Sequence, residues 1–264
     1  MAFLNYEYSM KIKYSVPVDK CYFTIKSFPA DDFRQSSIAY DISMNPLTQY
    51  SEGVDSFGNI QIIGCENYPH DVFEYKIKGL VETHPVNITG GVNLSKVGMY
   101  KYPHGKCVPG DSINRLADEL KNDVEGCTLT KDKCLKIMDA IYRHLEYETG
   151  STEVETTAEE ALTGGKGVCQ DFAHVFITVL RMFNIPARYV CGLIVGEGKS
   201  HAWVEAVCED NYIAFDPTHN SEITDEYIKL GVGRDAADCA INRGVMWGGG
   251  NQIQEIEVKV DKYY

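Results

Sequence analysis

The sequence has no run of about 18 apolar residues, so no transmembrane helix is expected. It has no basic excess. Against 25 Lys and Arg stand 38 Asp and Glu, a formal charge of −13, which argues against nucleic acid and anionic membrane surfaces as main partners. There is no Cys-x-x-Cys and no pair of short Cys/His spacings, so a zinc finger or ribbon is not expected. Internal repeats and low-complexity tracts are also missing. The opening Met-Ala-Phe-Leu-Asn-Tyr-Glu-Tyr lacks the basic head, apolar stretch and cleavage site of a secretory signal. Cysteines stand at 21, 65, 107, 127, 134, 169, 191, 208 and 239, an odd number. Apart from Cys169 they read as small buried apolar residues of a reduced, cytoplasmic protein.

What is there suits a globular chain. Its 264 residues fit one large domain or two moderate ones, with ordinary apolar (44%) and charged (24%) shares. Residues 1 to about 82 alternate in short runs: Met10-Ile12-Tyr14-Val16, Cys21-Phe23-Ile25, Ile38-Tyr40-Ile42 and Phe73-Tyr75-Ile77. Turn-rich segments such as Asn45-Pro46 and Asp55–Asn59 fall between them, so a small antiparallel sandwich or barrel is expected. His70, after Pro69, reads as a surface loop histidine. Residues 83–111, with Pro85, Pro103, Pro109 and several glycines, read as a connector. The expected division is 1–104, an N-terminal β domain with connector, and 105–264, a second domain.

Helical spacing begins after Pro109 with Ile113, Leu116, Ala117 and Leu120, and resumes near Thr130 with Leu135, Met138, Ile141, Tyr142 and Leu145. Thr157 and Glu160 form a capping box for a short helix, Ala158 to Leu162. Phe172, Val175, Phe176, Val179, Leu180 and Phe183 line one face of another, which stops near Asn184-Ile185-Pro186. Strands are expected over 187–195, 201–207 and 212–215, and a last one at Ile256-Val258-Val260. Helices followed by consecutive strands indicate α+β.

The chemistry concentrates at Gly167-Val168-Cys169-Gln170-Asp171-Phe172-Ala173-His174. Cys169 follows a glycine-rich turn and opens the apolar-striped helix. Free N–H groups and the positive dipole end favour an anion there, and a thiolate is the anion a cysteine supplies. His201 lies 32 residues on, in Ser-His-Ala-Trp-Val-Glu, and Asp216 a further 15, in Phe-Asp-Pro-Thr. Nucleophile, base and orienting carboxylate follow in triad order, with sulfur in place of the hydroxyl.

These motifs resemble the bacterial transglutaminase-like family of cysteine peptidases. Asn184–Val190, Gly233-Arg234-Asp235, Arg243-Gly244 and Gly248-Gly249-Gly250 are also similar to it, and Asp55-x-Phe57-Gly58-Asn59 is similar to the β domain that precedes the core there. The resemblance implies a papain-like α+β core, a helix bundle packed on an antiparallel sheet, after an all-β N-terminal domain. It implies catalytic roles for Cys169, His201 and Asp216, and no cofactor or metal.

The expected reaction is acyl transfer on a peptide or protein amide, as hydrolysis. The alternatives are an amine acceptor in a transglutaminase reaction, and a binding module on the same scaffold. A metal-dependent enzyme using Cys169, His174, His201 and Asp216 ranks third. The backbone N–H of Cys169 is the first oxyanion donor expected. Trp203 and Trp247 each carry an indole N–H, with Trp203 read as core, and Gln170 is read as pointing elsewhere. His174 is a lesser candidate for the base, and His219 for lining the site. Asp171 is expected to serve the helix N-terminus, and Arg234 and Asp235 to pair.

Overall fold

A computed structural model describes residues 1–198 and 200–263. In chain order come β1 (Ala2–Ile25), β2 (Gln35–Asn45), β3 (Tyr50–Val54), β4 (Ile60–Glu66), β5 (His70–Thr83) and β6 (Ile88–Gly91). The helical part follows: α1 (Leu94–Val97) with a 3₁₀ turn, α2 (Asp111–Glu125), α3 (Thr130–His144), β7 (Glu146–Tyr147), α4 (Ala158–Gly164), β8 (Lys166–Gly167) and α5 (Cys169–Met182). The last part holds β9 (Ala187–Ile194), β10 (Gly196–Gly198), β11 (His201–Cys208), β12 (Asn211–Asp216), β13 (Ser221–Glu222), β14 (Tyr227–Gly233), β15 (Asn242–Gly248) and β16 (Gln252–Tyr263). Among the described residues no helix is long and apolar enough to cross a membrane.

The first sheet has eight antiparallel strands built on β1. The sequence suggests two strands where the structure has one of 24 residues. Residues 2–14 lie between β5 and β16, and residues 18–25 between β4 and β15. A bulge between Val18 and Lys20 moves the buried face from Leu4, Tyr6, Tyr8, Met10 and Val18 to Cys21, Phe23 and Ile25. The expected tail strand is β16, and it joins this first sheet, along β1. The expected division near residue 105 therefore separates ranges of sequence but not sheets. His70 is also not a surface loop residue. It opens β5 and is buried, donating through Nδ1 to the Tyr68 carbonyl (2.8 Å) with the Cys21 sulfur near Nε2.

The second sheet runs β13-β12-β11-β9-β14, with β6 added on β12. The connector 83–111 thus supplies a strand to it, because Asn87, Gly90 and Gly91 bring backbone against β12. Helix α5 lies on this sheet and is enclosed on all sides from Asp171 to Arg181. Phe172, Val175, Phe176, Val179 and Leu180 are buried as their spacing predicts. On the other flank Arg181 donates to the carbonyls of Tyr100, Ala187 and Arg234, which lets a cation sit inside. The helix stops at Met182 and Asn184 takes the left-handed conformation (φ 59°), which ends it before Pro186.

Side chains from the start of β2 and from the turn before β4 cover the free edge of the second sheet. Gln35 and Asn59 each present a primary amide to the backbone of β14. Gln35 pairs with the N–H and C=O of Lys229, and Asn59 with those of Val232, at 2.7–2.8 Å. An exposed strand edge would invite another chain, and here two amides stand in for a neighbouring strand.

Candidate active site

Local chemistry sets the position of Cys169. Helix α4 begins in the predicted Thr157/Glu160 capping box and closes at Gly165, which is left-handed (φ 67°). Val168 is extended and Cys169 is the first residue of α5. Asp171 folds back so that its Oδ2 accepts from the Val168 N–H (2.8 Å) and the Thr152 hydroxyl (2.6 Å), the N-terminal role expected of it. Gly167 makes this approach possible, since a Cβ there would lie 2.6 Å from the Asp171 Cβ. The turn thus presents a half-buried thiol at a helix N-terminus.

His201 and Asp216 come from neighbouring strands, at the start of β11 and the end of β12. His201 Nε2 donates to Asp216 Oδ2 at 2.7 Å, and the ring's second side-chain partner is Cys169. Burial opposes a charge on the imidazole, but the bonds to Asp216 and Cys169 outweigh it and push the pKa up to about 10. Burial raises the Asp216 carboxyl, yet the two imidazoles it receives hold it well below the usual carboxylate range. The structure therefore brings together the three residues singled out in the sequence.

The carboxylate has more partners than a minimal triad. Oδ2 also accepts from His219 Nδ1 (2.7 Å) and the Tyr227 hydroxyl (2.8 Å). Oδ1 accepts from the backbone of Thr218 (2.9 Å) and His219 (3.3 Å). His219, a lesser candidate in the sequence, thus lies against Asp216, with its ring 5.3 Å from that of His201. Tyr227 is absent from the sequence reading, because its strand offers no local link to Asp216. Tyr147, whose ring lies 6.5 Å from that of Phe172 on α5, has its phenol raised by burial and then by Cys169. Trp203 is core, as read, with its ring stacked on His201 and edge-on to Tyr227. Gly192, across the ladder from His201, leaves room for that indole.

Other candidates fall away from the site. His174 is buried, and its Nε2 accepts from the Ala236 N–H at 3.1 Å. Burial pushes its pKa down to about 3, so it is a neutral structural acceptor and not the base. Gln170 donates to the Val154 carbonyl, as its reading suggests. Trp247 is half-exposed on β15 against Tyr22, in the first sheet. Arg234 does not pair with Asp235. It pairs with Asp238 through Nε and Nη2 (2.7 and 3.0 Å), while Asp235 caps the Lys106 and Ala237 N–H groups. Among the described residues, the side chains with metal-ligating atoms in mutual reach are His201, Asp216 and His219, which lie within 4.8 Å of one another. Cys169 and His174, ligand types in the sequence reading, are not in that group.

Known proteins share this arrangement of regions. Residues 4–82 match the bacterial transglutaminase-like N-terminal region, and residues 116–217 match the core of the transglutaminase-like superfamily. An uncharacterized protein of Mycobacterium leprae is 41% identical over 128 residues, 45% of this chain and 46% of that one, so the match spans less than half the relative's length. An uncharacterized protein of Mycobacterium tuberculosis is 26% identical over a 267-residue alignment covering 88% of this chain and 83% of its own. Among solved structures, a candidate cysteine protease from Cytophaga hutchinsonii superposes with a TM-score of 0.80 over 99% of this chain and 90% of that chain. At 22% identity that likeness concerns the fold.

Proposed function

This chain carries a transglutaminase-like core behind a bacterial transglutaminase-like N-terminal region, and on that premise we propose that it is a cysteine-dependent acyl-transfer enzyme acting on peptide or protein amides. The observation that carries the proposal is the His201 ring held between Asp216 at 2.7 Å and Cys169 at the head of α5. With Nε2 committed to the carboxylate, Nδ1 is the nitrogen left for the thiol. Cys169 gives its proton to His201 and attacks the carbonyl carbon. The tetrahedral oxyanion forms at the α5 N-terminus, where backbone N–H groups lack intrahelical acceptors. His201 then protonates the departing amine, leaving a thioester on Cys169. Water, deprotonated by His201, cleaves the thioester and restores the thiol. Asp216 orients the imidazole and stabilises its charged form.

Hydrolysis is the preferred outcome, and transfer to a primary amine is the second reading. Nine unpaired thiols support a reducing compartment, and we assign the protein to the cytoplasm. The test is iodoacetamide labelling at about pH 6, where an ordinary thiol of pKa about 8.5 reacts poorly. Cys169 is expected to label ahead of the other eight cysteines, and His201→Ala to abolish that lead. Equal labelling of Cys169 and the half-buried Cys65 would favour a binding module. Hydrolysis and amine transfer are then separated by product analysis of a labile ester, with and without a primary amine.

A further inference from the structure

We propose that His201, Asp216 and His219 form a binding site for a divalent late transition ion of the zinc type, laid over the edge of the triad. His201 Nε2 and His219 Nδ1 both converge on Asp216 Oδ2 at 2.7 Å, and the three ligating atoms lie within 4.8 Å of one another. Two imidazole nitrogens and one carboxylate oxygen are a donor set that suits zinc. The mixed set disfavours calcium and magnesium, which take oxygen ligands. The same set takes iron(II) in other folds, but zinc stands above iron in affinity order.

The three ligating atoms, now within 4.8 Å of one another, must adjust to metal-bonding distances. Zinc bonds of about 2.0–2.1 Å put neighbouring tetrahedral donors about 3.3 Å apart. The two hydrogen-bonded contacts must open by about 0.6 Å, as the ion takes the place of the protons now between them. Oδ1 is fixed by the N–H groups of Thr218 and His219, so the carboxylate is aimed before an ion arrives. His219 supplies the way in. Its side chain is 53% exposed, while those of His201 and Asp216 are 10% and 0%.

The consequence for catalysis rests on the acyl-transfer reading, whereas the binding does not. An ion on Nε2 fixes the ring as the form protonated at Nδ1, facing Cys169: a neutral ring moves its one proton there, and an imidazolium releases its Nε2 proton to solvent. With both nitrogens occupied the ring has no free lone pair to take the thiol proton and, short of forming an imidazolate, no proton to give to the amine. Bound zinc therefore silences the enzyme reversibly, without touching the sulfur.

The experiment is a zinc titration of the reduced, metal-stripped full chain against a chromophoric chelator, in wild type, Cys169→Ala and His219→Ala. Wild type and Cys169→Ala are expected to bind about one equivalent with equal affinity. His219→Ala is expected to bind at least about 100-fold more weakly, since losing even an outer-sphere partner costs 10–100-fold. Cobalt in place of zinc gives a second readout. Ligand-field bands without a thiolate-to-metal charge-transfer band are expected. A thiolate band, loss of binding in Cys169→Ala with retention in His219→Ala, or no competition at micromolar zinc would each overturn the proposal. Iodoacetamide labelling keeps the two readings apart. Zinc binding beside an unreactive Cys169 supports the metal site and removes the enzyme reading, and a reactive Cys169 without zinc binding does the reverse.

Discussion

Replacing Asp216 by Asn removes one charge and changes almost no volume, so it isolates what the carboxylate does. Asp216 accepts five hydrogen bonds, three on Oδ2 and two on Oδ1. An amide offers one accepting side only. If its oxygen faces the rings, its NH₂ meets the N–H groups of Thr218 and His219. If it is reversed, the NH₂ meets Nε2 of His201. A hydrogen bond to a charged group contributes about 1.5–3 kcal/mol. At about 1.36 kcal/mol per tenfold change, losing it lowers the thiolate–imidazolium population by about 10–150-fold. The initial rate of Cys169 alkylation at about pH 6 reads that population when normalised to Cys65 in the same sample. The donors stranded at Oδ1 or Oδ2 should also lower stability by about 1–3 kcal/mol, read as a shift in urea midpoint with unchanged slope. A variant that alkylates within about twofold of wild type would refute the argument, because the carboxylate would then not be holding the pair.

The other predictions concern the walls of the site and pH. Gly192→Ala places a Cβ 2.2 Å from both the Ile228 carbonyl oxygen and the Trp203 ring; a loss of about 1–3 kcal/mol in urea unfolding is expected, with slower Cys169 labelling as the indole pushes on His201. Glu205 is fully buried; burial raises its carboxyl, but Arg188 and Lys229 outweigh this and hold it at about 2. Its stabilisation is present above its ordinary 4.5 and is lost as pH falls towards 2. Glu205→Gln should therefore cost about 3–5 kcal/mol at neutral pH, and the deficit in urea midpoint should shrink as pH falls through that window. His201 has the opposite sign: raised from 6.5 to about 10, it adds stability below 6.5 that is lost as pH rises through 10. The gap in urea midpoint between wild type and His201→Ala should narrow over that range, and a constant gap would contradict it.

Much of the site was legible because each part has a local signal. A thiol at the head of an apolar-striped helix, a histidine opening a strand and an aspartate before proline are patterns visible within ten residues. His219 was half legible. Asp-Pro-Thr-His is an Asx turn, Oδ1 taking the N–H groups of Thr218 and His219, and such a turn brings residue i+3 back over the aspartate. Tyr227 was not legible, since it reaches the site only through tertiary packing. The long first strand was missed because its bulge exchanges inward and outward faces midway, which breaks the period-two pattern by which strands are read. His70 was misread for a related reason: the preceding proline suggests a loop, but only the pairing of β5 with β1 decides that its ring turns inward.

The pairing of β1 with β16 bears on how the chain is made. Residues 3–14 are hydrogen-bonded, residue for residue, to 252–263. During synthesis residues 3–14 must therefore wait for a partner that is made about 240 residues later. This stretch can meet β5 on one side after about 80 residues, but its other edge stays open while the remaining chain emerges, roughly ten seconds or more at ordinary elongation rates. In that interval the nascent protein presents an unpaired strand carrying Leu4, Tyr6, Tyr8 and Met10. A factor that shields emerging strands should raise the yield of soluble protein more than it changes the stability of the finished molecule. A rearranged gene that encodes 252–263 ahead of residue 2 would let both neighbours of that strand appear early and shorten the exposure.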